Sequence, residues 1–470
     1  MNNQDLISTF NNLPDSGSDF LLSKEKVLSF SAFKSRVIER ASSLQCIQPG
    51  DLVCIETGRN LEYFIDLFAV WVRHAVAVPL AFDLSDIHRN SIIKNTNARI
   101  TLSNTDILHS DKPFGHLPAA SAVLFTSGTT GMPKGVVLTE KAVMGNALST
   151  MACLDLHMGD VLFTNIPFQF TSLLSHFMVC ALTHAAIFVH EDRILNNDFV
   201  NLLVYSCANC FGGSPTQLLW IVQSQMNLSK NFKWLMSSGD FLPPTVIKEI
   251  RQRYPNLDIH TFYGITELAG RFCNLSPSDI DQKIGAVGFP IGGLSYKLLD
   301  ENQNEVEPGE LGEIYADGDF LLTEYLNDPG STQAVKTTHG YKTGDMGYCD
   351  KDGYLYHVGR NDDVFKSGGQ KVSGVLIRDE LLQLKLFKDV AVVPKEEEIL
   401  GTVPVACLVP LNQACLKKGE ILRGLRKTLP ANHIPKKIYI LDEIPRTGSG
   451  KVAKKQLDML LKTTGYASEL

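Results

Sequence analysis

A β-strand that empties into a glycine- and hydroxyl-rich loop and is followed by a helix leaves few architectures open. Residues 121–151 have that form. Leu124–Gly135 reads LFTSGTTGMPKG and holds four hydroxyls (Thr126, Ser127, Thr129, Thr130), three glycines (Gly128, Gly131, Gly135) and Lys134. Glycines let the backbone turn through conformations closed to other residues. Successive N–H groups in such a turn make an anion-binding concavity, to which hydroxyls add donors and lysine a point charge. The apolar run Ser121–Phe125 predicts the strand, and Thr139 predicts the N-cap of a helix that is apolar at helical spacing from Lys141. A phosphate cradle is the direct reading; a Ser/Gly-rich surface turn is the plain alternative. A Walker loop is excluded, because Lys134 follows Pro133. The later Gly448–Lys451 fails the same test, with Val452 in place of Ser/Thr and Pro445 where the first glycine belongs.

The rest of the chain alternates. Short β-rich runs (51–57, 75–80, 161–165, 185–190, 209–212) trade places with helix-length segments such as Ser31–Gln45 and Leu61–Arg73. That rhythm predicts stacked α/β layers with largely parallel sheets. From about 285 to 360 glycines and β-formers crowd together, which predicts an antiparallel β subdomain or barrel. A chain of 470 residues exceeds one compact core. The expected division is a large N-terminal domain, 1–361, and a small C-terminal α/β domain, 362–470.

Composition narrows the function classes. Hydrophobic residues make up 44% and charged residues 20%, as in soluble globular proteins. Ten cysteines without regular spacing read as free thiols in a reducing compartment. The N-terminus lacks a basic segment followed by an apolar run, so no secretory signal is expected and cytoplasmic residence follows by default. The most apolar stretch, Phe177–Val189, is interrupted by His184 and too short for a membrane span. Net charge is −7, yet residues 362–470 carry 18 Lys/Arg against 13 Asp/Glu. No basic run interleaved with aromatics is present, so nucleic acid is not an expected partner; a basic lid over phosphates accounts for the bias.

Four further motifs accompany the loop: YGITE (Tyr263–Glu267), YKTGD (Tyr341–Asp345), GRNDDVFKSGGQKVSG (Gly359–Gly374) and PRTGSGK (Pro445–Lys451). Five motifs in this order and at these separations closely resemble the adenylate-forming superfamily of acyl-CoA synthetases, adenylation domains and beetle luciferases, from about Leu52 to the C-terminus. The resemblance implies two α/β layers plus a β-barrel in the large domain, and a mobile C-terminal lid. It implies ATP and Mg²⁺ as cofactors, and acyl-adenylate formation with pyrophosphate release. Acyl transfer to coenzyme A follows or, alternatively, to the phosphopantetheine of a carrier protein acting in trans. A non-catalytic nucleotide-binding homologue is the rival from another class, and intact Lys134, Glu267, Asp345 and Lys451 speak against it.

Site roles follow from the same resemblance. Thr126, Ser127, Thr129, Thr130 and Lys134 hold the β- and γ-phosphates, with Gly128 and Gly131 allowing close backbone approach. Tyr263 stacks near adenine, Gly264 gives flexibility, Thr266 contacts the α-phosphate, and Glu267 holds Mg²⁺, a hard ion suited to one carboxylate plus phosphates and water. Asp345 takes the ribose hydroxyls, with Arg360 nearby. Asp362 is the hinge, Gly369 lines the pantetheine channel, and Lys451 is the catalytic lysine. Leu376-Ile377-Arg378 departs from the Glu-Ile-Glu-like segment usual in the family. The acyl pocket is expected along Phe168–Thr171, Phe211–Ser214 (with Gly212 and Gly213), Ser238–Gly239 and Phe262–Tyr263. Gln169 stands where amino-acid-activating relatives place an aspartate. A neutral side chain cannot offset a buried ammonium, which disfavours an α-amino acid. Phe168, Phe170, Phe177 and Phe211 favour an aromatic or medium-length fatty acid.

Overall fold

The computed structural model describes residues 5–56, 60–81, 84–103, 106–109, 115–126, 133–190, 196–224, 227–361, 364–367, 370–397, 401–411, 416–445, 452–462 and 468–469. These form two compact units, 1–296 with 316–341, and 297–315 with 342–470. The boundary expected at Asn361–Asp362 therefore falls inside the second unit.

The first unit is built on two mixed sheets. In the nine-stranded sheet, Asp258–Tyr263, Trp234–Ser238, Cys210–Gly213, Val161–Thr164, Ala186–Val189 and Asp19–Leu22 lie side by side and parallel. In the seven-stranded sheet, Leu52–Glu56 runs parallel to Val76–Leu80 on one side and to Ile100–Ser103 on the other. Strands buried on both faces read as continuous apolar runs; every residue of Val76–Leu80 and Ala186–Val189 is buried. The helix Glu62–Val72 is buried along Tyr63–Trp71, as expected of a helix enclosed on all sides. Its Phe64 meets Phe177 of the helix Thr171–Thr183, ring centroids 4.4 Å apart. Phe20 and Phe33 also pack on Phe177.

Local sequence explains the boundaries. The apolar stretch Phe177–Val189 is a helix end and a strand, separated where His184 takes a left-handed cap with φ 57°. Thr139 caps the helix Glu140–Met151 as expected, accepting the Ala142 N–H. The structure adds one element that the sequence reading did not anticipate. Lys134–Thr139 is a strand antiparallel to Ala120–Thr126, so the loop joins a hairpin whose second strand leads into the helix. The run GVVL (135–138) is buried and centres on two β-branched valines, and burial between sheet neighbours favours the extended form.

In the second unit, residues 345–349 pair antiparallel with Leu355–Arg360. Beyond it Phe387–Glu397 and Gly401–Pro410 form a long antiparallel pair, with Lys437–Ile440 parallel to the latter. Successive residues face opposite sides of a strand. Val390, Ala406 and Leu408 pack on Ile377, Leu381, Ile421 and Leu425. The alternate residues Ala391, Val393, Val405 and Cys407 pack with Leu441 and Leu457. Helices thus cover this sheet on both faces. Among the described residues no helix is long and apolar enough to cross a membrane.

Nine cysteines are described, all free; Cys54, Cys180, Cys210, Cys273 and Cys407 are buried and Cys207 is exposed. Replacing Thr139 by Ala removes the cap of Glu140–Met151 and should cost about 1 kcal/mol, read as a lowered urea midpoint with unchanged slope.

Candidate active site

Four neighbouring parallel strands end together. Thr164, Gly213, Ser238 and Tyr263 close the strands Val161–Thr164, Cys210–Gly213, Trp234–Ser238 and Asp258–Tyr263, and the pairings Gly212↔Thr164, Gly213↔Ser237 and Ser238↔Phe262 align them. The carboxyl edge of a parallel sheet is where open α/β folds place ligands. Gly212, Gly213, Ser214, Gly239, Tyr263, Gly264, Gln169 and Thr266 all lie on or just beyond this edge. Phe168 and Phe211 do so too, but their rings are in the interior. Phe168 packs on Tyr63 and Phe64 at 5.2 and 5.3 Å, and Phe211 on Phe199 at 5.5 Å.

The glycines here make room for close approaches. A Cβ on Gly212 would lie 2.5 Å from the His176 ring, and one on Gly264 only 1.7 Å from the Gly270 carbonyl oxygen. Gly264 opens a tight turn in which the Gly270 N–H donates to the Ile265 carbonyl, and Thr266 and Glu267 form a single 3₁₀ turn inside it.

One edge of the seven-stranded sheet gathers the candidate phosphate and metal residues. The short strand Glu324–Tyr325 pairs antiparallel with Lys134–Thr139, Tyr325 opposite Val136. That pairing holds the Lys134 ammonium 5.2 Å above the Tyr325 ring. The same ammonium donates to Ser331 Oγ at 2.8 Å, in the first turn of the helix Pro329–Val335. The Tyr325 hydroxyl donates to Glu267 Oε1 at 2.8 Å and lies 3.0 Å from the Tyr341 hydroxyl. A carboxylate only accepts and a phenol has one proton, so Tyr341 donates to Tyr325 and Tyr325 to Glu267. The Leu322 N–H donates to the Glu267 carbonyl at 2.7 Å, fixing the backbone as well. Among the described residues, Tyr325 is the single hydrogen-bond donor to the Glu267 side chain. A half-buried carboxylate beside a lysine that is not ion-paired with it suits a hard divalent ion shared with phosphate oxygens. Lys134 and Asp328 also line a cavity of about 260 Å³ with Asn95, Pro133 and Asn327.

A second cluster lies at the carboxyl edge of the nine-stranded sheet. Arg271 is 1% exposed. Asn146 fixes its backbone from both sides, accepting the Arg271 N–H and donating to its carbonyl. Its Nη2 donates to His176 Nε2 at 3.1 Å, its Nη1 approaches Ser172 Oγ at 3.5 Å, and its guanidinium stands 5.4 Å from the centre of the Phe262 ring. Guanidinium cannot accept, so Nε2 of His176 does, and the imidazole proton sits on Nδ1, 3.2 Å from Thr164 Oγ1. Burial, reinforced by the Arg271 charge, holds the His176 pKa well below its ordinary value. Burial brings Arg271 down to about 10, so it stays charged at neutral pH.

In the second unit, Asp345 and Arg360 sit directly opposite each other on paired strands. Arg360 Nε lies 3.0 Å from Asp345 Oδ1, and Nη1 donates to the Thr343 carbonyl at 2.9 Å. Asp345 is 3% exposed, and its N–H donates to Thr343 Oγ1. Gly344 between them has φ 74°, which glycine adopts freely.

The structure thus brings Lys134 together with Glu267, and Asp345 with Arg360. Ser127, Gly128, Thr129, Thr130, Gly131, Asp362, Gly369 and Lys451 lie outside the described residues; Thr126 ends the strand leading into the loop. The sequence reading missed Tyr325, Tyr341 as a donor, Ser331 and Arg271. Arg271 carries a local signal, standing four residues after Glu267; Tyr325 and Ser331 carry none, since only strand pairing brings them to the site.

Residues 117–326 match the family model of AMP-binding enzymes, and residues 379–451 that of the AMP-binding enzyme C-terminal domain. The chain is 29% identical to indoleacetate–CoA ligase of Aromatoleum aromaticum, over 72% of this chain and 67% of that one. It is 31% identical to a mitochondrial acyl-coenzyme A synthetase of Mus musculus, over 72% of this chain and 60% of that protein's length. Its fold is similar to that of o-succinylbenzoate CoA synthetase from Bacillus subtilis in complex with an acyl-adenylate intermediate, with TM-score 0.86 and 22% identity over 99% of both chains.

Two outcomes follow from this geometry. Tyr325→Phe strips Glu267 of its described donor and should lower stability by about 1.5–3 kcal/mol, measured by urea unfolding. The second concerns acid. His260 is buried between Trp234 and Phe262, and burial lowers its pKa from 6.5 to about 4. His260 and His176 both stay neutral in the fold and take up a proton on unfolding. Stability is therefore complete above pH 6.5 and falls as pH drops below it, by up to about 1.4 kcal/mol per pH unit for each. Urea titrations at pH 7 and 5 measure the slope, and His260→Gln should make it shallower.

Proposed function

The chain belongs to the adenylate-forming superfamily of AMP-binding enzymes, and we propose that it activates a small carboxylic acid with ATP and passes the acyl group to coenzyme A. The observation that carries this reading is the Lys134–Tyr325–Glu267 cluster, a cation and a carboxylate held apart by one phenol. Similarity to two acid–CoA ligases supports coenzyme A as the acceptor.

In the first half-reaction a carboxylate oxygen attacks the α-phosphorus of ATP. The new O–P bond forms as the bond to the β-phosphate oxygen breaks, and pyrophosphate leaves. Negative charge builds on the phosphoryl oxygens, so the protein must offer cations and aligned donors there. In this proposal Lys134 and the loop hydroxyls Thr126, Ser127, Thr129 and Thr130 hold the departing phosphates, and Thr266 donates to the α-phosphate. Lys451 bridges the α-phosphate and the acid. Asp345 accepts from the ribose hydroxyls while Arg360 keeps its carboxylate oriented. Glu267 would hold Mg²⁺, which when bound neutralises phosphate charge; the Tyr341–Tyr325 relay keeps the carboxylate aimed. In the second half-reaction the thiol sulfur of coenzyme A attacks the acyl carbon. A C–S bond forms, the C–O bond to the phosphate breaks, AMP leaves, and the thiol proton passes to solvent. Residues 362–470 act as the lid that serves each half-reaction in turn, with Asp362 as hinge and Gly369 beside the thiol arm. The free thiols, most of them buried or half-buried, suit a cytoplasmic location.

Acid-dependent exchange of labelled pyrophosphate into ATP tests adenylation. Thioester formation with coenzyme A, compared with a holo-carrier protein, tests the acceptor. Lys451→Ala should slow exchange by ~10²–10³ yet leave thioester formation from preformed acyl-adenylate largely intact; equal loss of both half-reactions would remove Lys451 from its bridging role.

A further inference from the structure

Among the described residues, Arg271 is a buried cation without a partner of opposite charge. Its contacts are a neutral imidazole, a serine hydroxyl and the face of Phe262, and its Nε has no hydrogen-bond partner among them. A buried charge is costly unless it is paired, so proteins rarely keep one idle. The surroundings are prepared for an anion from a second direction. Ser172, which Arg271 approaches, lies in the first turn of the 13-residue helix Thr171–Thr183, and no side chain caps that end. The N-terminus of a helix favours negative charge through its free N–H groups and its dipole. Gly270, with φ 127°, adjoins Thr171 in the same turn: a Cβ built on it would lie 3.6 Å from the Thr171 carbonyl oxygen. Gly212 leaves His176 space that a Cβ would take, and thereby lets the imidazole support the guanidinium.

We infer that Arg271 and the first turn of Thr171–Thr183 bind a second anionic group on the acid, so that the substrate is a dicarboxylate or an acid with an equivalent anionic tail. The inference rests on the acid–CoA ligase reading above and narrows it. The anion cannot be the carboxylate that reacts, because that group must meet the α-phosphate among Lys134, Thr266 and Glu267. None of the described side-chain contacts of Arg271 is with those residues. It touches instead the segments expected to line the acyl pocket: Ser172 and His176 beyond Phe168–Thr171, His176 against Gly212, and Phe262. Positive charge at that place repels an ammonium tail and penalises a plain hydrocarbon one. The substrate preference drawn from Phe168, Phe170, Phe177 and Phe211 rested largely on rings that pack inside the core, since of the four only Phe170 is exposed.

The test uses the full-length enzyme and acids of matched length that end in a methyl group, a methyl ester or a carboxylate, scored by pyrophosphate exchange. The carboxylate-ended member should exceed its own half-ester in kcat/KM by about 100-fold or more, since a site built for a charged partner rejects the analogue that lacks it. Arg271→Leu should erase that ratio through the diacid, and Arg271→Lys should restore part of it. The diacid should also raise the Tm of the wild-type enzyme more than the half-ester does, a readout that needs no variant to fold. If methyl- and ester-ended acids are activated as well as the diacid, the pairing is overturned and adenylation stands. If no acid on the panel drives exchange and none raises the Tm, both readings fall.

Discussion

Two hydrogen-bonded residues, Glu324 and Tyr325, laid along the strand Lys134–Thr139 fix the chemistry-bearing edge of the first unit. Without this pairing the Tyr325 phenol has no reason to stand between Lys134 and Glu267. Lysine and glutamate at direct contact would neutralise each other, and neither would then be available to a polyphosphate or its metal. The phenol solves this by presenting its π face to the ammonium and its proton to the carboxylate. Cation–π attraction and a charge-assisted hydrogen bond are each modest, yet both depend on one ring. The spacing of the charges is thus set by a side chain that bears none.

Much of the layered α/β plan was legible because it depends on local pattern. Buried parallel strands such as Val76–Leu80 announce themselves as apolar runs, and Thr139 announces its helix by cap chemistry. The strand Lys134–Thr139 was not legible, since GVVL is too short a run to be told from the end of the loop until its sheet partners are known. The site divides along the same line. Motif residues were recognisable from their order in the chain. Tyr325 and Ser331 were not, because what brings them to Lys134 is pairing across almost two hundred residues. Arg271 sat in plain view beside YGITE. Its significance comes from burial without a counter-charge, a property that no one-dimensional pattern encodes.

The two clusters of the first unit embody opposite solutions to the same electrostatic difficulty. Around Glu267 the phenol protons run in one direction toward the carboxylate, and the charges are spaced for use. Around Arg271 the fold keeps a guanidinium in the interior, neutralises the adjoining histidine by desolvation, and leaves Nε without a partner among the described residues. Such an arrangement is stable enough to persist only because Asn146 clamps the backbone and Phe262 covers the guanidinium. Rigid support of this kind is what a recognition residue needs, since a partner met by a preorganised group loses less freedom on binding.

The cysteines give the molecule a practical asymmetry. Burial pushes the Cys54 and Cys407 thiols up to about 12 and holds Cys273 well above its ordinary value, so the thiolate that alkylating reagents attack is scarcely formed there. Cys207, just beyond the helix Asn196–Tyr205, is exposed. Among the described thiols it is the natural attachment point for a maleimide fluorophore or spin label, which gives the wild-type chain a spectroscopic handle without engineering.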